Sequence, residues 1–343
     1  MAKMDELFIK AGKNIVEVCS RLMQKETATI ITDKETIKIG EIVKKVADEI
    51  TSKVNFHVLE DYGERPLNFL PKEIKKDIKT TDVTYLAVNS KFGELQKFRR
   101  PLVELAIKSG REIHMPNIDD AIIESGMQAD YYKIASLTFL ITGIASRSKI
   151  ARVTTPKGTD LRVNFSKNLK WVPDTGLLWY KGMWGNLPAG EVYTCPENIE
   201  GTMVVNGTLG DFFCAKYGNL EETPVSIPIK KSRAVIEKIE CKNEPLLKEL
   251  KRYLLQDENA NRVGEFACGT NITLKNFIGN LLQDEKFPGV HVAFGNPFPE
   301  QTGADWKSDG HVDGIMKECS LWFDEIQILK DGKFREKELF SLD

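Results

Sequence analysis

The sequence contains no glycine-rich phosphate loop, since neither GxGxxG nor GxxxxGKS/T occurs in it. Without a glycine turn that brings backbone amides against a phosphate, the usual nucleotide-binding mechanism is missing. Paired cysteines are lacking too. Cys19, Cys195, Cys214, Cys241, Cys268 and Cys319 are far apart with no CxxC, which argues against a disulfide framework or zinc knuckle and fits reduced thiols in the cytoplasm. No apolar run reaches membrane-spanning length. The most apolar stretch, residues 134–145, is short and broken by Ser136, Thr138, Thr142 and Gly143. Asp5, Glu6, Lys10 and Lys13 interrupt the apolar segment that a secretory signal would need. An excess of one charge is also absent. Lys plus Arg is 48 and Asp plus Glu is 50, for a formal net charge of −2, so there is no electrostatic footprint for nucleic acid or an anionic membrane. Histidine is scarce, at four residues, and each position is therefore informative.

What is present describes a globular chain of two domains. Hydrophobic residues make up 41% and charged residues 29% of 343 residues, enough for two cores of ordinary size. Leu7, Ala11, Ile15, Val18 and Leu22 recur at helical spacing and predict an amphipathic first helix. Strand-like and helix-like patterns then alternate: strand 28–32, a helix with Ile39, Ile42, Val43, Val46 and Ile50 on one face, strand 54–59, helix 72–78, strand 83–88, helix 94–108 and strand 111–115. That order predicts an α/β domain with a mostly parallel sheet over residues 1–148, a scaffold or lid. From residue 149 the texture changes to α+β. A hairpin is expected at 151–155 and 161–165 around Pro156-Lys157-Gly158-Thr159, with further strands at 203–205, 225–229, 234–241 and 320–329. Helices are expected at 244–258 and 274–282.

The second domain, 149–343, carries the candidate chemistry. His311 stands in Gly310-His311-Val312-Asp313-Gly314. Residues two apart on a strand face the same way, so His311 and Asp313 can share one cation, and the flanking glycines are expected to leave room for it. Imidazole with carboxylate is the donor pair of catalytic zinc, cobalt, manganese or non-haem iron. His291 opens a second β-like run, His291-Val292-Ala293-Phe294-Gly295. Glu265 lies in the apolar Gly264-Glu265-Phe266-Ala267-Cys268-Gly269-Thr270-Asn271, and Glu191 precedes Val192-Tyr193-Thr194. A glutamate among such neighbours must be exposed, paired or bound to metal, because burying it alone is very costly. His57 and His114 have no carboxylate pattern nearby and are expected to be structural. Trp171, Trp179, Tyr180 and Trp184 crowd the approach to Glu191; they suit either a substrate pocket or the core.

The ordered segments NLPAGEVYT (186–194), GEFACGTN (264–271), HVAFG (291–295) and HVDG (311–314) resemble the aminopeptidase T family of metallopeptidases, the thermophilic or leucyl aminopeptidases. The resemblance covers most of the chain and is clearest from Ala151 onward, where TPKGTDL (155–161) is also in the family style. It implies a homodimer, an α/β domain before the metal-binding domain, and two divalent cations such as Zn, Co or Mn. The family's ligand positions fall on Glu191, Glu265, His291, His311 and Asp313. It further implies hydrolysis of amide bonds in short peptides by metal-activated water, with Glu191 or Glu265 moving the proton. Phe298, Trp184 and Tyr180 are the expected substrate contacts. Phe298 departs from the family, whose peptidases carry a tyrosine at this place, seven residues after the first motif histidine.

Two alternatives stand beside this expectation. The 2,5-dihydroxypyridine dioxygenases are similar in the HxD motif and use one Fe(II) on two histidines and an aspartate. His291, His311 and Asp313 could supply that set, but Glu265 stands where that branch is expected to carry a histidine, and Glu191 then has no task. The other alternative is a catalytically silent member that binds a small molecule or partner.

Overall fold

The structure, a computed structural model, describes residues 2–335 and Leu339. The chain forms two compact units, one of residues 1–135 and 175–189, the other of residues 136–174 and 190–343. The boundary expected near residue 148 falls within the first segment of the second unit, and residues 175–189 return to the first.

The first unit is built on a five-stranded parallel sheet in the order Val54–Val58, Ala28–Thr32, Val83–Val88, Arg111–Pro116, Trp184–Asn186. The two central strands, Ala28–Thr32 and Val83–Val88, are buried throughout. Such continuous burial is what helices on both faces of a parallel sheet produce. Ile39, Val43 and Val46 form the buried stripe of the helix Ile37–Ile50, as their spacing predicts. The amphipathic N-terminal helix is Ala2–Lys13, continued by a wider turn at Asn14–Cys19.

The second unit holds two antiparallel sheets. A nine-stranded sheet includes the hairpin Ile150–Thr154 and Asp160–Asn164. A five-stranded sheet runs in the order His311–Met316, Gly289–Gly295, Val263–Gly269, Glu191–Thr194, Val172–Asp174. Alternation along the five-stranded sheet decides what each face does. Val192, Phe266, Cys268, Val290, Val292, Phe294, Val312 and Met316 enter one core cluster with Val153, Leu161, Met203 and Leu321 of the larger sheet. The residues between them point to the opposite face. Among those are Glu191, Tyr193, Glu265, Ala267, His291, Ala293, His311 and Asp313.

Several expected elements differ: the helix expected at 244–258 ends at Tyr253, the strand expected at 203–205 begins at Asn198, and three others change more. The helix expected at 274–282 shrinks to Leu281–Asp284. Leu274, Phe277, Ile278 and Leu281 imitate helical spacing, but Gly279 takes a left-handed φ of 75°, and the Asp284 carboxylate collects the Ile278 and Gly279 N–H groups at 2.9 and 3.0 Å. Residues 320–329 form a hairpin, Ser320–Phe323 and Ile326–Lys330, turning at Asp324 with φ 48°. Residues 234–241 are broken by a 3-10 turn at Ile236–Lys238. Conversely, the apolar stretch 134–145 lies within a helix, Tyr131–Ala145. No helix of the described residues is long and apolar enough to cross a membrane.

Candidate metal centre

Neighbouring strands bring Glu191, Glu265, His291, His311 and Asp313 together although 122 positions separate the first from the last in the numbering of the chain. Ala293 pairs with both Glu265 and Asp313, and Ala267 pairs with both His291 and Tyr193. The two alanines end at Cβ, so neither places a long side chain between the donors. The glycines around His311 do something else. A Cβ on Gly310 would meet Gln256 Nε2 at 2.3 Å, and one on Gly314 would meet Val205 Cγ2 at 2.7 Å. They admit the packing around the strand, which corrects the expectation that they make space for the cation.

The donor atoms form two groups that share Glu265. In Glu191, Glu265 and His291 the donors lie within 4.8 Å of one another, and the same holds for Glu265, His311 and Asp313. Glu265 spans them: its Oε1 is 3.4 Å from His291 Nε2 and its Oε2 is 3.5 Å from His311 Nε2. His291 Nε2 is also 3.3 Å from Glu191 Oε2, and His311 Nε2 is 3.2 Å from Asp313 Oδ1. The His311 Nδ1–H donates to the Asn296 carbonyl at 3.0 Å, which leaves Nε2 to face the carboxylates, the usual arrangement behind a ligating imidazole. Tyr253 fixes the His311 backbone. Its hydroxyl accepts from the His311 N–H at 2.9 Å and donates to the His311 carbonyl at 3.1 Å.

Electrostatics give this cluster its character. Burial pushes the Glu191 carboxyl up, but Lys286 and His291 outweigh it and hold it at about 2. Burial likewise opposes Asp313, yet His311 holds it at about 2. For His311 burial favours the neutral ring, while Asp313 and Glu265 raise it to about 10. His291 is raised well above its ordinary value against its own burial, by Glu191 and Glu265. Burial pushes Glu265 up. Three buried carboxylates thus draw positive charge to one place, and a divalent cation can supply it in place of imidazole protons. Two atoms show the fit directly. Glu191 Oε2 and His291 Nε2 are buried without a hydrogen-bond partner, which is costly unless something else binds them.

Other expected residues fall as follows. Phe298, in a left-handed conformation with φ 51°, lays its ring 4.8 Å from that of His311 and 6.0 Å from that of Tyr193. Trp184 and Tyr180 belong to the first unit and are not part of the cluster. Trp184 meets His114 edge-on and Tyr180 is 68% exposed. Trp171 packs against Phe165, Phe266 and Phe323 as a core residue. His57 bonds Tyr62 and Asp77, and His114 bonds Glu112. Both therefore do have carboxylate neighbours, but as local structural pairs. Lys286, missed in the sequence, is buried against Glu191 Oε1 at 2.6 Å.

Glu191, Glu265, His291, His311 and Asp313 thus form a carboxylate–imidazole cluster on one face of the antiparallel sheet, a donor set that suits divalent cations. Residues 145–314, about half of the chain, match the family model of the thermophilic metalloproteases (M29), and that segment contains all five donor residues. The chain is accordingly a metalloprotease-like enzyme. Among solved structures it is similar to a 2,5-dihydroxypyridine dioxygenase from Pseudomonas putida KT2440, with a TM-score of 0.69 and 15% identity over 97% of each chain. It is equally similar to wild-type AmpT from Thermus thermophilus, with a TM-score of 0.69 and 16% identity over 96% of this chain and 99% of that one. At such identities both likenesses are of fold. No sequence match is found among curated proteins.

Proposed function

We propose that the chain is an aminopeptidase-like hydrolase that removes N-terminal residues from short peptides with two divalent cations, Zn, Co or Mn. The reading is carried by one observation, the placement of Glu265 between two donor groups. A single Fe(II) on a two-histidine-one-carboxylate set would leave Glu191 and one Glu265 oxygen without a task. The proposed ligands are Glu191, Glu265 and His291 at one position, and Glu265, His311 and Asp313 at the other. Bound there, the cations would supply Lewis acidity and an activated water.

The chain's own residues do the rest. Glu265 accepts the proton of the attacking water and returns it to the leaving amine, while Glu191, with Oε1 held by Lys286, serves as a ligand. Tyr193, on the same face, offers a phenol to the carbonyl oxygen of the scissile bond. Phe298 offers an apolar surface to the substrate side chain. We further propose a cytoplasmic homodimer. The six free cysteines suit a reducing compartment, and the resemblance of the motifs to the aminopeptidases supports the dimer.

Elemental analysis and peptide turnover test this reading. About two Zn, Co or Mn per chain, with release of N-terminal residues, is the expected result. His311→Ala and Asp313→Ala should each lose metal and activity while keeping the circular dichroism of the wild type. One iron per chain with oxygen uptake, or unchanged metal content in both variants, would overturn it.

A further inference from the structure

Lys286 is 1% exposed and its ammonium lies among three carboxylates: Glu191 Oε1 at 2.6 Å, Glu285 Oε1 at 2.9 Å and Asp174 Oδ2 at 3.5 Å. An ammonium has three protons to donate and no acceptor capacity, so this partner set matches its capacity. The ladder explains how they meet. Asp174 pairs directly with Glu191, and Glu191 pairs on its other side with Gly269. A Cβ on Gly269 would stand 2.1 Å from the Phe287 carbonyl oxygen. Only glycine lets the 285–287 backbone close over the strand end at this distance. The Asn271 N–H, donating to the Lys286 carbonyl at 3.0 Å, holds that closure.

The consequence falls on Glu191. Its Oε1 is occupied by Lys286, whereas its buried Oε2 has no hydrogen-bond partner and lies 3.3 Å from His291 Nε2. We infer that Lys286 is a positioning residue that limits Glu191 to one oxygen for a cation and makes the Glu191–Glu265–His291 position the weaker of the two. This rests on the two-cation reading. A fixed positive charge touching one oxygen of a ligand repels a cation on the other, and a buried site screens that repulsion poorly. Among the described residues no lysine or arginine is ion-paired with Asp313; its pair is His311, and Lys286 acts on it only at longer range and less than His311 does. Cations therefore load in order, first at Glu265–His311–Asp313, and the second remains exchangeable.

Calorimetric titration of the chelated full chain with Zn²⁺ tests the order. The wild type should take up two equivalents in steps separated by about tenfold or more in Kd. Lys286→Met alone strands buried carboxylates and invites misfolding, so the decisive variant is Lys286→Met with Glu285→Gln. Its weaker step should tighten by about tenfold, with the tighter step within about threefold of wild type. Asp174→Asn with Glu285→Gln keeps the ammonium and should leave the weaker step weak. If both double variants tighten that step alike, Lys286 only balances Glu285 and Asp174, and the inference fails. It fails too if two equivalents bind with the weaker step unmoved in the lysine variant. Uptake of a single equivalent by the wild type would instead bring down the two-cation reading itself.

Discussion

Tyr193 and Phe298 show how much one residue can change at this centre. Tyr193 follows Glu191 by two positions on one strand, so both side chains point to the face that carries His291 and Glu265. The phenol is nearly buried and donates to Gln301 Oε1 at 2.7 Å. Burial and the neighbouring Glu265 and Glu191 push its pKa well above the ordinary value, so the phenol keeps its proton and serves a substrate oxygen by turning it away from Gln301. Phe298 has no oxygen and cannot do this. A donor aimed at a developing oxyanion is worth on the order of a hundredfold in rate. Tyr193→Phe should therefore lower kcat for peptide hydrolysis by roughly 10- to 100-fold with metal content unchanged. An unchanged kcat would place the phenol outside the reaction. The sequence made His311 and Asp313 legible because two-residue spacing on a strand is a local signal. Lys286 had no such mark among 48 basic residues, since what distinguishes it is burial against residues almost a hundred positions away.

At the scale of elements, periodicity served well where an element buries one face and poorly where a loop is held by side chains. The helix Ile37–Ile50 of the first unit follows the 3.6 repeat of its apolar residues, and the central strands of the parallel sheet are short, continuously buried runs. The segment 271–286 does not. Asn280 caps the short helix by accepting the Leu282 N–H at 3.2 Å, and Thr273 donates to Asn271 Oδ1. Side-chain bonds of this kind compete with helix for the same backbone groups. This segment brings Lys286 to the end of the strand Val263–Gly269, and Gly269 is the contact on which it closes. Gly269→Ala must displace the Phe287 carbonyl, because backbone cannot rotate away as a flexible side chain would. A loss of about 1–3 kcal/mol is expected from such overpacking, read as a shift of the urea midpoint at unchanged slope. An unchanged midpoint would show that 285–287 is not closed on the strand.

For the whole molecule, the carboxylate cluster links folding to cation concentration. The chain carries almost balanced charge, −2 over 343 residues, yet Glu191, Glu265, Asp313, Asp174 and Glu285 gather in one unit with Lys286 among them. An unfolded chain has no such gathering and binds cations weakly. Folded and unfolded states therefore respond differently to free cation, and the response counts the sites. Well above both dissociation constants, each bound cation adds about 1.4 kcal/mol of stability per decade of free cation. Two cations should give a slope of about 2.7 kcal/mol per decade, and one cation half of that. If the positions differ in affinity as Lys286 implies, the plot of stability against the logarithm of free Zn²⁺ has two breaks, with the single-cation slope between them. Chelation should lower the thermal midpoint to a cation-independent floor. A single break followed by the single-cation slope would mean one ion per chain and would favour the one-metal chemistry over the peptidase.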